Sequence, residues 1–463
     1  KQYYLIFLAI FLTIGVVALI IIASAKSQQI TSENSTVSEQ KETLENNQVI
    51  KPVTGKIKKA YAAGSFYPDD PVNLNSQLET FFLKTQKIET AGKPRILIMP
   101  HAGIQYSGET SAWSAKQLEN ENFSKVIIIG VSHKYSYDYA AVYPEGGWET
   151  PLGTMKINDY LISKIVSEQN KVIFDEGKHQ EDHNLEVPLL YIQKISQNFE
   201  IVPIMIGNQT NQETLNYLSF KLASLMDDQT VIIISTDLSH YPSWEDAQKA
   251  DRRVIDALVT GNEGEFKRAV KANAANKYRE HSTSACGFNA ILVGLKIADI
   301  LNFNEIKELH SVNSGDITGD KSKVVGYTSV VFWSDEIPTI SLNEKAKKEA
   351  LKLARDSINA YLDGQELNYT PANSDLLQPI GAFVTLTKEG SLRGCIGNFE
   401  PEDPVYKVIQ NVAVSAAVRD KRFTPVTKSE LSDLDIEIST MSPQKLVDNW
   451  EGIQIGKHGV RII

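Results

Sequence analysis

Four short apolar runs mark the middle of the chain, at residues 95–99, 125–129, 201–206 and Thr230–Ser235. Runs this short and continuous predict strands buried on both faces. Between them apolar positions recur at helical spacing, with Leu74, Leu78, Phe81 and Phe82 in one segment and Leu215, Leu218, Leu222 and Leu225 in another. Further helices are predicted over residues 244–260 and 287–301. Glu305–Asn313 and residues 324–333 flank a Gly/Asp-rich turn and read as a late hairpin. This alternation predicts an α/β domain over residues 56–337, with a mostly parallel central sheet flanked by helices.

The pattern changes on either side. Residues 341–364 read as a helix, with Ala346, Ala350, Leu353 and Ile358 among its apolar positions. Residues 381–386 and 392–397 then form two apolar runs around a Lys-Glu-Gly turn, a hairpin signature. A helix over 410–418 and a strand over 434–440 complete a predicted α+β module at 338–463. At the other end, residues 3–25 contain no charge. About 20 apolar residues cross a bilayer core, so this stretch predicts an N-terminal transmembrane helix within residues 1–25. Ala23-Ser24-Ala25 also fits a cleavable signal, but the apolar run is longer than a signal core, which favours a retained anchor. The expected placement is a single-pass membrane protein with its domains outside the cytoplasm, the cytoplasmic face being the alternative. Residues 26–55, rich in Ser, Thr, Asn, Gln and Glu, read as a disordered linker.

Composition narrows the function. A net charge of −10 over 463 residues supplies no surface for neutralising a phosphate backbone, so no nucleic-acid partner is expected. Two cysteines exclude a disulfide scaffold and a four-thiolate metal site.

The histidines carry more. His101 follows the run ending at Met99, His133 follows the run ending at Ile129, and His240 follows the run ending at Ser235. In open α/β sheets ligands bind beyond the carboxyl ends of strands, so three histidines in these positions converge on one crevice. Cys286 is the expected fourth member. It stands where a helix begins, a position that stabilises a thiolate. His183 and Glu186, three apart, share one face if their segment is helical, and suit a supporting or acid/base role. His179, His281, His310 and His458 have no comparable context.

In order along the chain stand Ala63-Gly64-Ser65-Phe66-Tyr67-Pro68, Pro100-His101-Ala102-Gly103, Gly130-Val131-Ser132-His133, Asp182-His183-Asn184-Leu185-Glu186, Ser235-Thr236-Asp237-Leu238-Ser239-His240, Ala285-Cys286-Gly287 and Val324-Val325-Gly326-Tyr327. This ordered set resembles the MEMO family, which is similar in fold to class III extradiol dioxygenases. The resemblance implies a metal bound by His101, His133 and Cys286, with iron or copper preferred to zinc. It implies His240 as an acid/base group, with Asp237, His183 and Glu186 as further catalytic or orienting residues. Cys286 replaces the carboxylate ligand of true extradiol enzymes, which shifts metal preference and redox behaviour. Pro188 also departs from the polar residue of relatives and is expected to bend or shorten its helix.

In the C-terminal module, Leu392-Arg393-Gly394-Cys395-Ile396-Gly397 matches the signature of the AMMECR family, with residues 381–386 and Asp420-Lys421-Arg422-Phe423 in support. Relatives continue beyond residue 463, so this module is expected to be incomplete. Arg393 and Cys395 suit an anion or nucleophile site, while Gly394 and Gly397 suit a tight β-structure. The pair of modules is similar to the AmmeMemoRadiSam system and implies a radical-SAM partner.

The resulting expectation is a membrane-tethered, metal-dependent oxidoreductase acting on an unidentified small molecule or peptide. One alternative is a non-catalytic metal- or peptide-binding assembly protein on the same scaffold. Another is a zinc hydrolase, which lacks the His-Glu-x-x-His motif.

Overall fold

The computed structural model describes residues 55–441, apart from 168, 277, 279, 338–340, 379, 400 and 401. The larger body runs β1 (Ile57–Lys58), α1 (Pro71–Phe82), β2 (Lys93–Met99), α2 (Ile104–Lys116), β3 (Lys125–Val131), β4 (Ala140–Val142), β5 (Gly147–Thr150), β6 (Gly153–Ile157), α3 (Asp159–Ile165) and β7 (Val172–Phe174). It continues with α4 (Glu186–Ile195), β8 (Glu200–Ile206), α5 (Gln212–Leu225), β9 (Thr230–Ser235), α6 (Trp244–Leu258), α7 (Glu263–Ala275), α8 (Phe288–Ile300), β10 (Glu305–Asn313), α9 (Ser314–Thr318) and β11 (Gly326–Ser334).

These strands form one mixed sheet in the order β1-β5-β6-β8-β3-β9-β2-β11-β10, with β4 and β7 beside β8. From β6 to β2 every neighbouring pair is parallel. The apolar runs of β3, β8 and β9 are buried almost throughout, as strands with both faces covered must be. The late hairpin forms as an antiparallel pair, β10 with β11, and α9 sits in its turn. Helices begin on side-chain caps, with Asn211 before α5, Ser243 before α6 and Asn262 before α7 each accepting a backbone N–H.

The smaller body comprises α10 (Glu344–Leu362), β12 (Gly381–Lys388), β13 (Ser391–Asn398), α11 (Val405–Val418) and β14 (Leu434–Met441). Its antiparallel sheet, ordered β13-β12-β14, has its own apolar core, in which Ala382, Val384 and Leu386 meet Leu353, Ile358, Ile409 and Ala413.

One part of the expected fold class is corrected. Among the described residues no helix is long and apolar enough to cross a membrane. The longest of their helices, α10 at 19 residues, is amphipathic, exposing Lys345, Lys348 and Lys352 while burying Ala346, Ala350 and Leu353. The expected transmembrane helix is therefore not part of the fold described here, and the described residues give the single-pass membrane placement no support. Residues 3–25 themselves lie outside the described residues.

The three parallel strands that matter most are neighbours, in the order β3, β9, β2. Their shared carboxyl edge delivers His133, Asp237 with His240, and His101. Backbone bonds tie the loops there: Thr236 N donates to Met99 O at 3.0 Å, Leu238 N to Gly326 O at 2.8 Å, and His240 N to Thr283 O at 3.1 Å. At Gly130, in β3, a Cβ would lie 2.0 Å from Asn184 Oδ1 and 2.8 Å from Leu185 Cδ2. Asn184 is fully buried, and its amide donates to Val131 O at 2.6 Å, so it has no room to yield. Gly130→Ala is expected to destabilise the fold by about 1–3 kcal/mol. Denaturant unfolding measures this, and an unchanged midpoint would contradict the packing described.

Candidate metal centre

His101, His133 and His183 each bring a ring nitrogen into a group whose ligand atoms all lie within 4.8 Å of one another. The cluster runs from His101, at 1% exposure, to His133, whose side chain is one-third exposed. Solvent and solutes therefore reach it from the His133 side. Its rings pack closely: His133 stacks on His183 at 5.2 Å between centroids, and His101 meets both edge-on at 5.0 and 5.4 Å.

The next layer of residues sets which nitrogen each ring presents. Ser235 Oγ donates to Asn184 O at 2.5 Å, so it accepts from His101 Nδ1 at 2.7 Å. That leaves the Nε2 lone pair of His101 facing the cluster. His133 Nδ1 lies 3.3 Å from Asp182 Oδ1 and 3.3 Å from the Asn184 amide nitrogen. A carboxylate only accepts, so Nδ1 donates to it, and Nε2 is the nitrogen left for a metal to take. The other Asp182 oxygen accepts from His133 N at 3.0 Å. Carboxylate and hydroxyl partners of this kind are what orient imidazole ligands in metal sites.

Electrostatics separates the three rings. Burial, reinforced by the neighbouring imidazoles, holds the His101 pKa well below its ordinary value. Burial also brings His183 down to about 4. At His133 burial works the same way, but hydrogen bonds to Asp182 and Cys286 outweigh it and carry the pKa up to about 10. Two rings are thus neutral and one holds a proton that a metal would displace.

Cys286 belongs to the same crevice. Its Sγ lies 3.4 Å from His101 Nε2 and accepts from Asp237 N at 3.1 Å. Cys286 lies two residues before α8, where burial pushes its pKa up and the neighbouring His133 pulls it back down.

Asp237 Oδ1 accepts from His101 N at 2.9 Å, while its Oδ2 stands 4.0 Å from both His101 Nε2 and His240 Nε2. Burial pushes this carboxyl up to about 6, and burial also brings His240 down to about 4. His240 Nε2 is buried without a hydrogen-bond partner among the described residues.

Glu186 is placed otherwise than expected. His183 precedes α4 and Glu186 is its first residue, so the two do not share a helix face. The Glu186 oxygens accept from the N–H groups of Tyr61 and Ala62 and from the Lys58 ammonium. With the Tyr67 hydroxyl as a further donor, four groups occupy its four lone-pair sites. Pro188 neither bends nor shortens the helix, since it sits in the first turn, where its missing N–H has no intrahelical acceptor to lose.

Several members carried no signal as isolated residues. Asp182, Asn184 and Ser235 lay inside quoted motifs but only the fold gives them partners. His281 is drawn beside His240 by paired backbone bonds, Ser282 N donating to His240 O and His240 N to Thr283 O.

In the smaller body Arg393 Nε donates to Glu430 at 2.8 Å and Arg393 Nη1 to Thr424 O at 2.8 Å. Its guanidinium is thus engaged inside the chain, and the expected anion site is not formed around it. Gly394 and Gly397 are required by packing: a Cβ would lie 2.1 Å from Ala416 O at the first and 2.2 Å from the Phe383 ring at the second. Cys395 is a free thiol that accepts from Thr385 Oγ1 at 3.3 Å, and its N–H donates to Asp420 at 2.9 Å.

A family model described as Memo-like protein matches residues 58–331. The chain belongs to the Memo family. A second model, AMMECR1, matches residues 351–463, so one chain joins a Memo domain to an AMMECR1 domain. A MEMO1 family protein of Thermoplasma volcanium is 34% identical over 276 residues, covering 59% of this chain and 98% of the relative. One of Sulfolobus acidocaldarius is 34% identical over 284 residues, covering 58% and 97%. Among solved structures, an uncharacterized Pyrococcus horikoshii protein aligns at 32% identity over 23% of this chain and 57% of its own, with a TM-score of 0.22.

The loop that carries Asp237 and His240 rests on a buried acid. Asp251 Oδ1 accepts from Ser239 N at 3.0 Å, and burial raises its pKa from 3.8 to about 7. Between roughly pH 4 and pH 7 the unfolded chain holds fewer protons at this site than the folded chain, so stability falls as pH rises through that window. Asp237 adds in the same direction up to about 6. Asp251→Asn is expected to lose less thermal stability than the parent between pH 5 and pH 8. Parallel pH profiles for the two proteins would remove Asp251 as a source of the dependence.

Proposed function

We propose that this Memo-family chain is a metal-dependent enzyme of redox type, acting on a small molecule or peptide that enters from the His133 side. The observation that carries the reading is the convergence of three imidazoles, two with their outer nitrogens already engaged, beside a thiol. This donor set fits a first-row transition metal, and the nearby sulfur favours iron or copper over a hard oxygen-seeking ion. When bound, such an ion supplies an electrophilic and redox-active centre.

The protein residues divide the remaining work. His101 and His133 present Nε2 because Ser235 and Asp182 hold Nδ1. His183 supplies the third imidazole, and the Cys286 thiol stands at hand 3.4 Å from His101 Nε2. His240 is neutral near pH 7 and its Nε2 has no partner among the described residues, so that nitrogen is open to a hydrogen bond from a bound substrate, while burial opposes its full protonation. Asp237 holds or releases a proton nearer to neutrality than an ordinary carboxyl and shares its free oxygen between the two imidazoles. A radical-SAM protein as reaction partner is a further part of the proposal and rests on the two-domain resemblance.

Metal analysis of the purified full-length chain tests the reading. The expected result is one iron or copper ion per chain, reduced more than tenfold in occupancy in His101→Ala and His183→Ala. Cys286→Ala is expected to change the visible spectrum of the bound ion. Full metal occupancy in both histidine variants would overturn the assignment. Tightly held zinc with hydrolysis of ester or peptide probes would replace redox chemistry with zinc hydrolysis.

A further inference from the structure

Lys58 Nζ lies 2.9 Å from Glu186 Oε2, with both side chains fully buried. A buried ion pair is a poor source of stability, because removing two charges from water opposes their mutual attraction. This pair is therefore better explained by what it holds in place. Lys58 also donates to Lys59 O at 3.1 Å and lies over the Trp148 ring at 4.4 Å. Glu186 accepts from Tyr61 N at 2.9 Å, from Ala62 N at 2.7 Å and from the Tyr67 hydroxyl. One carboxylate thus grips both ends of the short stretch from Tyr61 to Tyr67.

That stretch reaches two of the three histidine loops. The Phe66 ring stacks on the His183 imidazole at 4.0 Å between centroids, with the planes 28° apart. Phe66 O accepts from Ile104 N at 2.9 Å, at the start of the helix that follows His101. Among the described residues His183 has no close hydrogen bond of the kind that Ser235 and Asp182 give the other two rings; its Nδ1 is 3.9 Å from Asp182 Oδ1. Its orientation is set instead by packing between Phe66 and His133.

We infer that Lys58 and Glu186 are a positioning pair for the third imidazole, acting through Phe66. The inference rests on the metal-centre reading. Glutamine cannot replace Glu186 in this role. Its amide NH2 would meet either the Lys58 ammonium or the peptide N–H donors, and neither contact is attractive.

Cobalt(II) is the probe, titrated into the full-length chain and followed by its visible absorption band and its dissociation constant. The wild-type chain is expected to bind cobalt with a ligand-field band. In Glu186→Gln the affinity should fall about 10-fold or more, with an altered band shape. Phe66→Leu keeps the ion pair but removes the ring that stacks on His183. It should show the same change in band, and it decides the matter if Glu186→Gln does not fold. The double variant Lys58→Met/Glu186→Gln removes the unpaired buried charge, so it should recover thermal stability without recovering the wild-type band. Wild-type affinity and band in Phe66→Leu, or in a folded Glu186→Gln, would overturn the positioning role while leaving the metal centre standing. A wild-type chain that takes up no cobalt would overturn the metal centre itself.

Discussion

Parallel pairing of β3, β9 and β2 is the constraint on which the rest of the larger body depends. Parallel neighbours all end on one edge of the sheet, so the residues just past each strand are forced together. His101 and Asp237 are 136 positions apart, yet the backbone N–H of one meets the carboxylate of the other at 2.9 Å. The antiparallel pair β10 and β11 closes the far side of β2. Gly326, at the head of β11, bonds in both directions to the loop that carries His240. The sheet thus fixes both where the crevice lies and how rigid its floor is.

On that floor the balance between burial and hydrogen bonding decides what each group can do. A buried polar network is stabilising when its members are satisfied and destabilising when they are not. Ser235 and Asp182 satisfy the outer nitrogens of His101 and His133, which leaves the inner nitrogens as the chemical edge toward the crevice. Burial holds the Cys286 thiol and the Asp237 carboxyl toward their neutral forms, and it does the same for His183 and His240. His133 is the exception, its pKa carried up by Asp182 and Cys286, so a cation would enter as that proton leaves. The smaller body uses similar residue types differently. There Arg393 is paired with Glu430 and Arg422 with Asp420, so these charges tie loops within the chain.

The long strands β2, β3, β8 and β9, the late hairpin, several helices and the strand-end histidines were legible in the sequence, because a doubly covered sheet needs continuous apolar runs and its turns fall at their ends; the short strands β1 and β4 to β7 were not. The roles of His183 and Glu186 were not. A spacing of three reads as one helix face, but α4 starts at Glu186, and that boundary sends the two side chains to different tasks. His281 was equally silent, since its place beside His240 comes from backbone bonds between loops far apart in sequence. At Cys286 the sequence showed the nearby helix start but not the burial that raises its pKa.

By itself the sequence determined the α/β alternation, the two-module division and the residues that follow each strand, since these rest on local periodicity and on which residue types occupy short motifs. Only the tertiary structure decided which nitrogen each histidine presents, that Glu186 braces a strap while His183 joins the cluster, and that Arg393 is already paired. Each of those depends on partners supplied from distant segments, and on a degree of burial that exists only once the sheet has brought those segments together.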